Sequence, residues 1–158
     1  MRVMELHAPL RIVQRAKGRT ATAAAAYRAA ERIDCQRTGQ VHDYTKKRGV
    51  EATEIHTAED APDWARQRSA LWNAAEMREK HPRAQTAREL EIGFPHEFSE
   101  QQRRDAGRGV AKLLVSRYGS AADVAWHFPN RKGDQRNFHA HILFTNRAIT
   151  ADGWAKTK

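Results

Sequence analysis

The chain has 158 residues, with 28 lysines and arginines against 19 aspartates and glutamates, so it carries a net charge of +9; that length accommodates one domain with a hydrophobic core. A composition 40% hydrophobic and 30% charged excludes a disordered chain, and the single cysteine, Cys35, excludes an internal disulfide or a cysteine-rich zinc site. No stretch approaches the roughly 20 apolar residues of a membrane span, and the start MRVMELHAPL lacks the apolar core of a signal peptide, so membrane insertion is not expected and a cytoplasmic location is.

The positive surplus favours polyanionic partners, because Lys and Arg displace counterions from a phosphate backbone. In chain order, residues 3–14 read as one strand bent at Pro9, at a sheet edge where proline is tolerated. RAKGRT (15–20) is a basic loop, with Thr20 or Thr22 available to cap the next helix. Residues 21–33, ATAAAAYRAAERI, read as that helix, since alanine has the best helix propensity and no breaker intervenes. Tyr27 is the one large side chain in the middle of the run. Residues 34–45 hold a Thr38-Gly39 turn between short polar stretches, which predicts a hairpin. Residues 46–62 read as charged and irregular.

Residues 63–80 predict a helix capped by Asp63, with Trp64, Leu71, Trp72, Ala75 and Met77 on one apolar face and His81-Pro82 ending it. In 87–95, Leu90, Ile92 and Phe94 alternate with Glu89, Glu91 and Gly93, the period of a half-buried strand. Residues 99–118 predict a long helix between a Ser99 cap and Gly119. Residues 122–128 and 137–147 are strands joined by a loop at 129–136, short enough to suggest an antiparallel pair. The sum is an α+β fold, a mainly antiparallel central sheet with helices packed on it as a two-layer or three-layer sandwich.

Chemistry concentrates on the last two strands. Side chains alternate along a strand, so His139 and His141 share a face with Leu143, opposite Phe138, Ala140, Ile142 and Phe144. His127 shares a face with Ala125, opposite Trp126 and Phe128, and falls beside the other two if the strands pair across the loop. Three imidazoles on one sheet face bind a divalent metal and leave positions open; the alternative is three solvated strand residues. Glu89 and Glu91 lie on the polar face of their strand; if it joins the same sheet, one or the other would orient a ligating imidazole by accepting its second N–H, and the alternative is two solvated strand glutamates. Of the three tyrosines, Tyr118 reads as packing, Tyr44 as a DNA contact, and Tyr27 as either core or a nucleophile served by a metal-bound phosphate. Arg15, Lys17, Arg19, Arg28, Lys46, Lys47, Arg48, Arg131 and Lys132 flank this constellation and are the expected DNA contacts, although the run at 46–47 also reads as a solvated loop.

Together GRTATAAAAYRAAERIDCQRTGQVHDYTKKRGV (18–50), ARELEIGFP (87–95) and AWHFPNRKGDQRNFHAHILFTNR (125–147) resemble the MobA/MobL-type (MOBQ) conjugative relaxases of the HUH endonuclease superfamily, over nearly the whole chain. The resemblance implies an enzyme that nicks one strand at a plasmid transfer origin and keeps the 5′ end as a phosphotyrosine. It implies Tyr27 as the nucleophile, His127, His139 and His141 as the metal site, and Glu89 and Glu91 as the acidic motif beside it. Imidazole ligation favours Mn²⁺ over Mg²⁺ and admits Zn²⁺ or Ni²⁺. The implied partners are single-stranded origin DNA with an adjacent hairpin, accessory mobilisation proteins and a type IV secretion coupling protein, with transfer alongside the DNA. Relaxases of this kind continue past the nuclease, so residues 1–158 are expected to be the N-terminal nicking domain of a longer protein. The competing expectations are an HUH replication initiator or transposase, which often carries its tyrosine after the histidine motif, and a non-catalytic single-stranded nucleic-acid-binding module. Here no tyrosine follows Tyr118, which favours the relaxase.

Overall fold

The computed structural model describes residues 8–158, so positions 3–7 of the first predicted strand lie outside the described residues. The elements are β1 (Leu10–Gln14), α1 (Ala21–Ala29), β2 (Arg32–Asp34), β3 (Val41–Asp43), β4 (Val50–His56), α2 (Arg68–Arg78), β5 (Gln85–Gly93), α3 (Glu100–Tyr118), β6 (Ala122–His127), β7 (His139–Phe144), β8 (Ile149–Thr150) and β9 (Gly153–Trp154). Five strands form one sheet in the order β1-β5-β7-β6-β4, every neighbour antiparallel. The expected α+β class and the β6–β7 pairing are both found.

Strand alternation divides the sheet into two buried faces. On one, Ile92, Phe94, Val124, Trp126, Ala140, Ile142 and Phe144 pack beneath Ala111 and Leu114 of α3. That helix is fixed at its start by a full capping box, Ser99 with Gln102, and at its end by Gly119 at φ 66°. Its internal Gly107 serves contact: a Cβ there would lie 2.6 Å from Trp126 Nε1, which donates to the Arg103 carbonyl at 3.0 Å. On the other face, Val13, Ala87 and Leu143 pack against Ala21, Ala25 and Ala26 of α1 and Leu71, Trp72 and Ala75 of α2. Alanines on α1 let it lie close to the sheet. Asp123 of β6 ties α2 down, accepting from Arg68 twice at 2.8 Å and from Trp72 Nε1 at 2.9 Å.

The structure corrects several expectations. The helix expected over 21–33 ends at Ala29, because Ala30 adopts φ 54° and the chain turns into β2, burying Ile33. Of the two threonines, Thr20 is the cap, accepting from Ala23 N at 3.0 Å. The segment 46–62 contains β4, which among the described residues is an edge strand paired only with β6. Its alternation is masked because Glu51 and Glu54 are held by Arg103 and Arg108 of α3. The helix at 63–80 is two pieces, a 3-10 turn Asp63–Arg66 and α2, separated at Gln67 with ψ 118°, and Asp63 caps neither. Met77 is half exposed, and Glu76 is the fully buried residue at that end of α2. The short β8–β9 hairpin was not expected.

Candidate metal centre and nucleophile

β7 turns His139 and His141 toward the α1 side of the sheet, and the β6 register places His127 directly across from His139. The three ring centroids form a nearly equilateral triangle with sides of 5.2, 5.0 and 5.2 Å. One nitrogen from each ring lies within 4.8 Å of the other two. Each ring also donates to a group that only accepts: His127 Nε2 to the Arg28 carbonyl at 2.8 Å, His139 Nδ1 to the Asn137 carbonyl at 2.9 Å, and His141 Nδ1 to Glu89 Oε1 at 2.7 Å. An acceptor-only partner requires the proton on that nitrogen, and when the ring is neutral the other nitrogen keeps its lone pair. Burial pushes His127 down to about 3, opposed by the hydrogen bond to the Arg28 carbonyl and helped by the proximity of His141 and Lys47. Burial lowers His141 as well, aided by Arg28 and opposed by Glu89. Both rings are therefore neutral at physiological pH, the form that ligates metal.

The two glutamates, equivalent in the sequence, separate in the structure. Glu91 stands directly across from His141 in the β5–β7 register, yet its carboxylate goes to Arg11 at 3.2 Å, a half-exposed pair. Glu89 is 5% exposed and reaches His141 diagonally. It also takes Arg28 at 2.9 Å. Burial would raise the Glu89 carboxyl, but the His141 hydrogen bond and the Arg28 charge outweigh it and hold the group below its ordinary range.

Tyr27 sits in the last turn of α1, where the Arg28 carbonyl also meets His127. Its side chain is 44% exposed rather than core. It shares a cleft of about 650 Å³ with His127, His139 and His141. Tyr44 meets its ring edge-on at 5.1 Å. The Arg28 guanidinium lies 5.3 Å and the Lys47 ammonium 3.8 Å from its ring centroid. Tyr118, expected as packing, is 59% exposed at the far end of α3.

The basic residues divide by location. Arg28, Lys47, Arg48, Arg131 and Lys132 line the histidine cleft. Arg19 lines an adjoining cleft of about 490 Å³ that shares Arg11, Tyr27 and Arg28 with the first. Lys17 and Lys46 are exposed and line neither. Arg15 is turned into the protein, contrary to its expected place among the DNA contacts. It donates to the Glu79 and His81 carbonyls at 2.8 and 3.1 Å and pairs with buried Glu76 at 3.1 Å. Arg11, which lines both clefts, was missed; its parity with Val13 on β1 was the available signal.

Comparison with known proteins gives concordant results. The MobA/MobL family profile matches residues 19–158. A mobilization protein MobL of Acidithiobacillus ferridurans is 37% identical, aligned over 93% of this chain and 44% of its own length. A probable mobilization protein MobA of Bifidobacterium longum is 34% identical, over 96% of this chain and 27% of its own. A solved structure titled for the molecular basis of vancomycin resistance transfer in Staphylococcus aureus superposes with a TM-score of 0.87 at 29% identity, covering 98% of this chain and 77% of that one. The chain thus spans less than half the length of these curated relatives.

Proposed function

The chain belongs to the MobA/MobL family, and from that premise we propose that it cuts and rejoins one DNA strand at a plasmid transfer origin through a covalent link to Tyr27, so initiating conjugative mobilisation. The observation that carries this reading is the single cleft in which an exposed phenol faces three converging imidazoles behind a rim of cations. No helix among the described residues is long and apolar enough to cross a membrane.

The donor set fits a divalent metal: three nitrogens, two of them held neutral by burial, each ring oriented by its second hydrogen bond. Nitrogen donors suit Mn²⁺, Zn²⁺ or Ni²⁺ better than Mg²⁺. A metal bound there would withdraw charge from a scissile phosphate and orient it. The protein's own residues do the rest. Tyr27 Oη forms a bond to phosphorus as the phosphorus–O3′ bond breaks. The departing 3′ oxygen keeps the bonding pair and gains a proton, balancing the one lost by the phenol. One phosphodiester replaces another, so reversal rejoins the strand without ATP. Glu89 holds His141 and Arg28 in place, and Arg48, Arg131, Lys132 and Arg19 bind flanking phosphates.

The test is incubation with a single-stranded origin oligonucleotide and Mn²⁺, followed by a denaturing gel. A covalent band in the native protein and none in Tyr27→Phe, with binding retained, is the expected result. A band that persists in Tyr27→Phe moves the nucleophile, with Tyr44 the nearest phenol. Binding without any band across several metals favours a non-catalytic binding module. A hairpin beside the nick, accessory mobilisation proteins and a secretion coupling protein are the proposed partners.

A further inference from the structure

Lys47 lies on the short segment between β3 and β4. The Lys47 N–H closes a turn onto the Tyr44 carbonyl at 2.9 Å, so one turn delivers both the Tyr44 ring and the Lys47 ammonium to Tyr27. The ammonium donates to the Tyr27 carbonyl at 2.7 Å and sits 3.8 Å from the centre of the Tyr27 ring. That carbonyl belongs to the final turn of α1, where the usual partner is lost: the Glu31 N–H goes to the Ala26 carbonyl at 3.0 Å. The helix end is also electronegative and favours a cation. Among the described residues no carboxylate lies within ion-pair distance of Lys47, whereas Arg28 is paired with Glu89. A lysine that served only as a phosphate contact would extend its stem into solvent. This one folds back, and burial together with the Arg28 charge draws it down to about 8, with Glu89 opposing.

We propose that Lys47 is a positioning residue for the Tyr27 nucleophile: it locks the ring against Tyr44 and presents positive charge to the ring face, instead of spending that charge on DNA. The proposal rests on the reading of Tyr27 as nucleophile. The cation favours the anionic phenol oxygen both as it attacks and as it departs on rejoining, and the clamp fixes the direction of attack. Lys47 therefore acts through Tyr27 and differs in kind from Arg131 and Lys132 on the cleft rim.

Lys47→Met keeps the stem and removes the charge. Three quantities are read: affinity for the oligonucleotide against salt, the single-turnover rate of adduct formation at saturating DNA, and the ¹⁹F spectrum of fluorotyrosine-labelled protein without DNA or metal. The Tyr27 resonance is identified by its loss in Tyr27→Phe. The expected result is an adduct rate lower by about tenfold, the size of one well-placed cation–ring contact, with affinity and salt slope unchanged. The Tyr27 resonance moves while that of Tyr118 stays. A salt slope reduced by about one, with the saturated rate unchanged, would make Lys47 a phosphate contact and overturn the proposal. A lower melting temperature with rate and resonance unchanged would reduce it to a helix cap and also overturn it. Lys47→Arg, which retains a cation able to lie over the ring, is expected to keep its rate within about threefold; a loss as large as that of Lys47→Met contradicts the role of charge. If instead the adduct survives in Tyr27→Phe, the nucleophile assignment fails, while the ¹⁹F spectra still report on the clamp.

Discussion

Replacing Glu89 by Ala separates the two glutamates most sharply. In the native protein its carboxylate joins the His141 ring at 2.7 Å to the Arg28 guanidinium at 2.9 Å, and all three side chains are less than a quarter exposed. Truncation leaves an imidazole N–H and a cation without a partner inside the fold. Breaking a buried charge pair costs about 3–5 kcal/mol; Arg28 retains some solvent access, so a loss of about 2–4 kcal/mol is expected in urea unfolding. The same change frees the His141 ring to rotate, and removing such an orienting partner typically weakens metal binding by about 10- to 100-fold, readable by calorimetric titration with Mn²⁺. Glu91→Ala breaks only the half-exposed pair with Arg11, a loss of about 0–1 kcal/mol with metal affinity intact. Equal effects of the two substitutions, or a larger one at Glu91, would refute the assignment of Glu89 as the partner of the metal centre.

Arg15→Ala is expected to destabilise the fold by about 2 kcal/mol, since it removes one of the two arginines on buried Glu76, leaving Arg37 alone, and frees the Glu79 and His81 carbonyls, while the salt slope of DNA binding stays constant; the double variant Arg131→Ala/Lys132→Ala should lower that slope by about two and leave stability alone. Gly107→Ala drives a Cβ into Trp126 and should cost about 1–3 kcal/mol in thermal or urea unfolding, against the small gain alanine brings to an open helix. Glu54 is held down to about 2 by its hydrogen bonds from Arg108, against burial and with help from His56. The unfolded chain binds that proton more tightly, so the pair's stabilisation is full above the ordinary value of 4.5 and is lost as pH falls through about 2. With partial exposure allowed for, this amounts to about 1–2 kcal/mol, and Glu54→Gln should remove that share of the acid slope between pH 4.5 and 2 in pH-dependent urea melts.

Those cases also show what the sequence makes legible. The histidine face was readable because alternation on β6 and β7 is strict, and Phe138, Ala140 and Ile142 mark the opposite face as core. The distinction between Glu89 and Glu91 was not, since it depends on where Arg11 and Arg28 arrive from β1 and α1. β4 escaped notice because its acidic side chains are satisfied by arginines of α3, a tertiary pairing that hides the apolar period. The early end of α1 was hidden by propensity: Ala30 is an excellent helix former placed at φ 54°, and tertiary contacts of Ile33 outweigh that preference. Arg15 misled for the converse reason, since composition does not distinguish a cation facing DNA from one closing over a buried carboxylate.

The central claim, that Tyr27 carries the cut strand, is tested most directly by mass spectrometry of the adduct after trypsin digestion. Cleavage after Arg19 and Arg28 isolates Tyr27 on the peptide 20–28, whereas Tyr44 falls on 38–46 and Tyr118 begins another peptide. The expected species is peptide 20–28 joined through Tyr27 to the 5′ phosphate of the downstream fragment, with a free 3′-hydroxyl on the upstream one. The same mass on peptide 38–46, or a 3′ phosphate linkage, would contradict it.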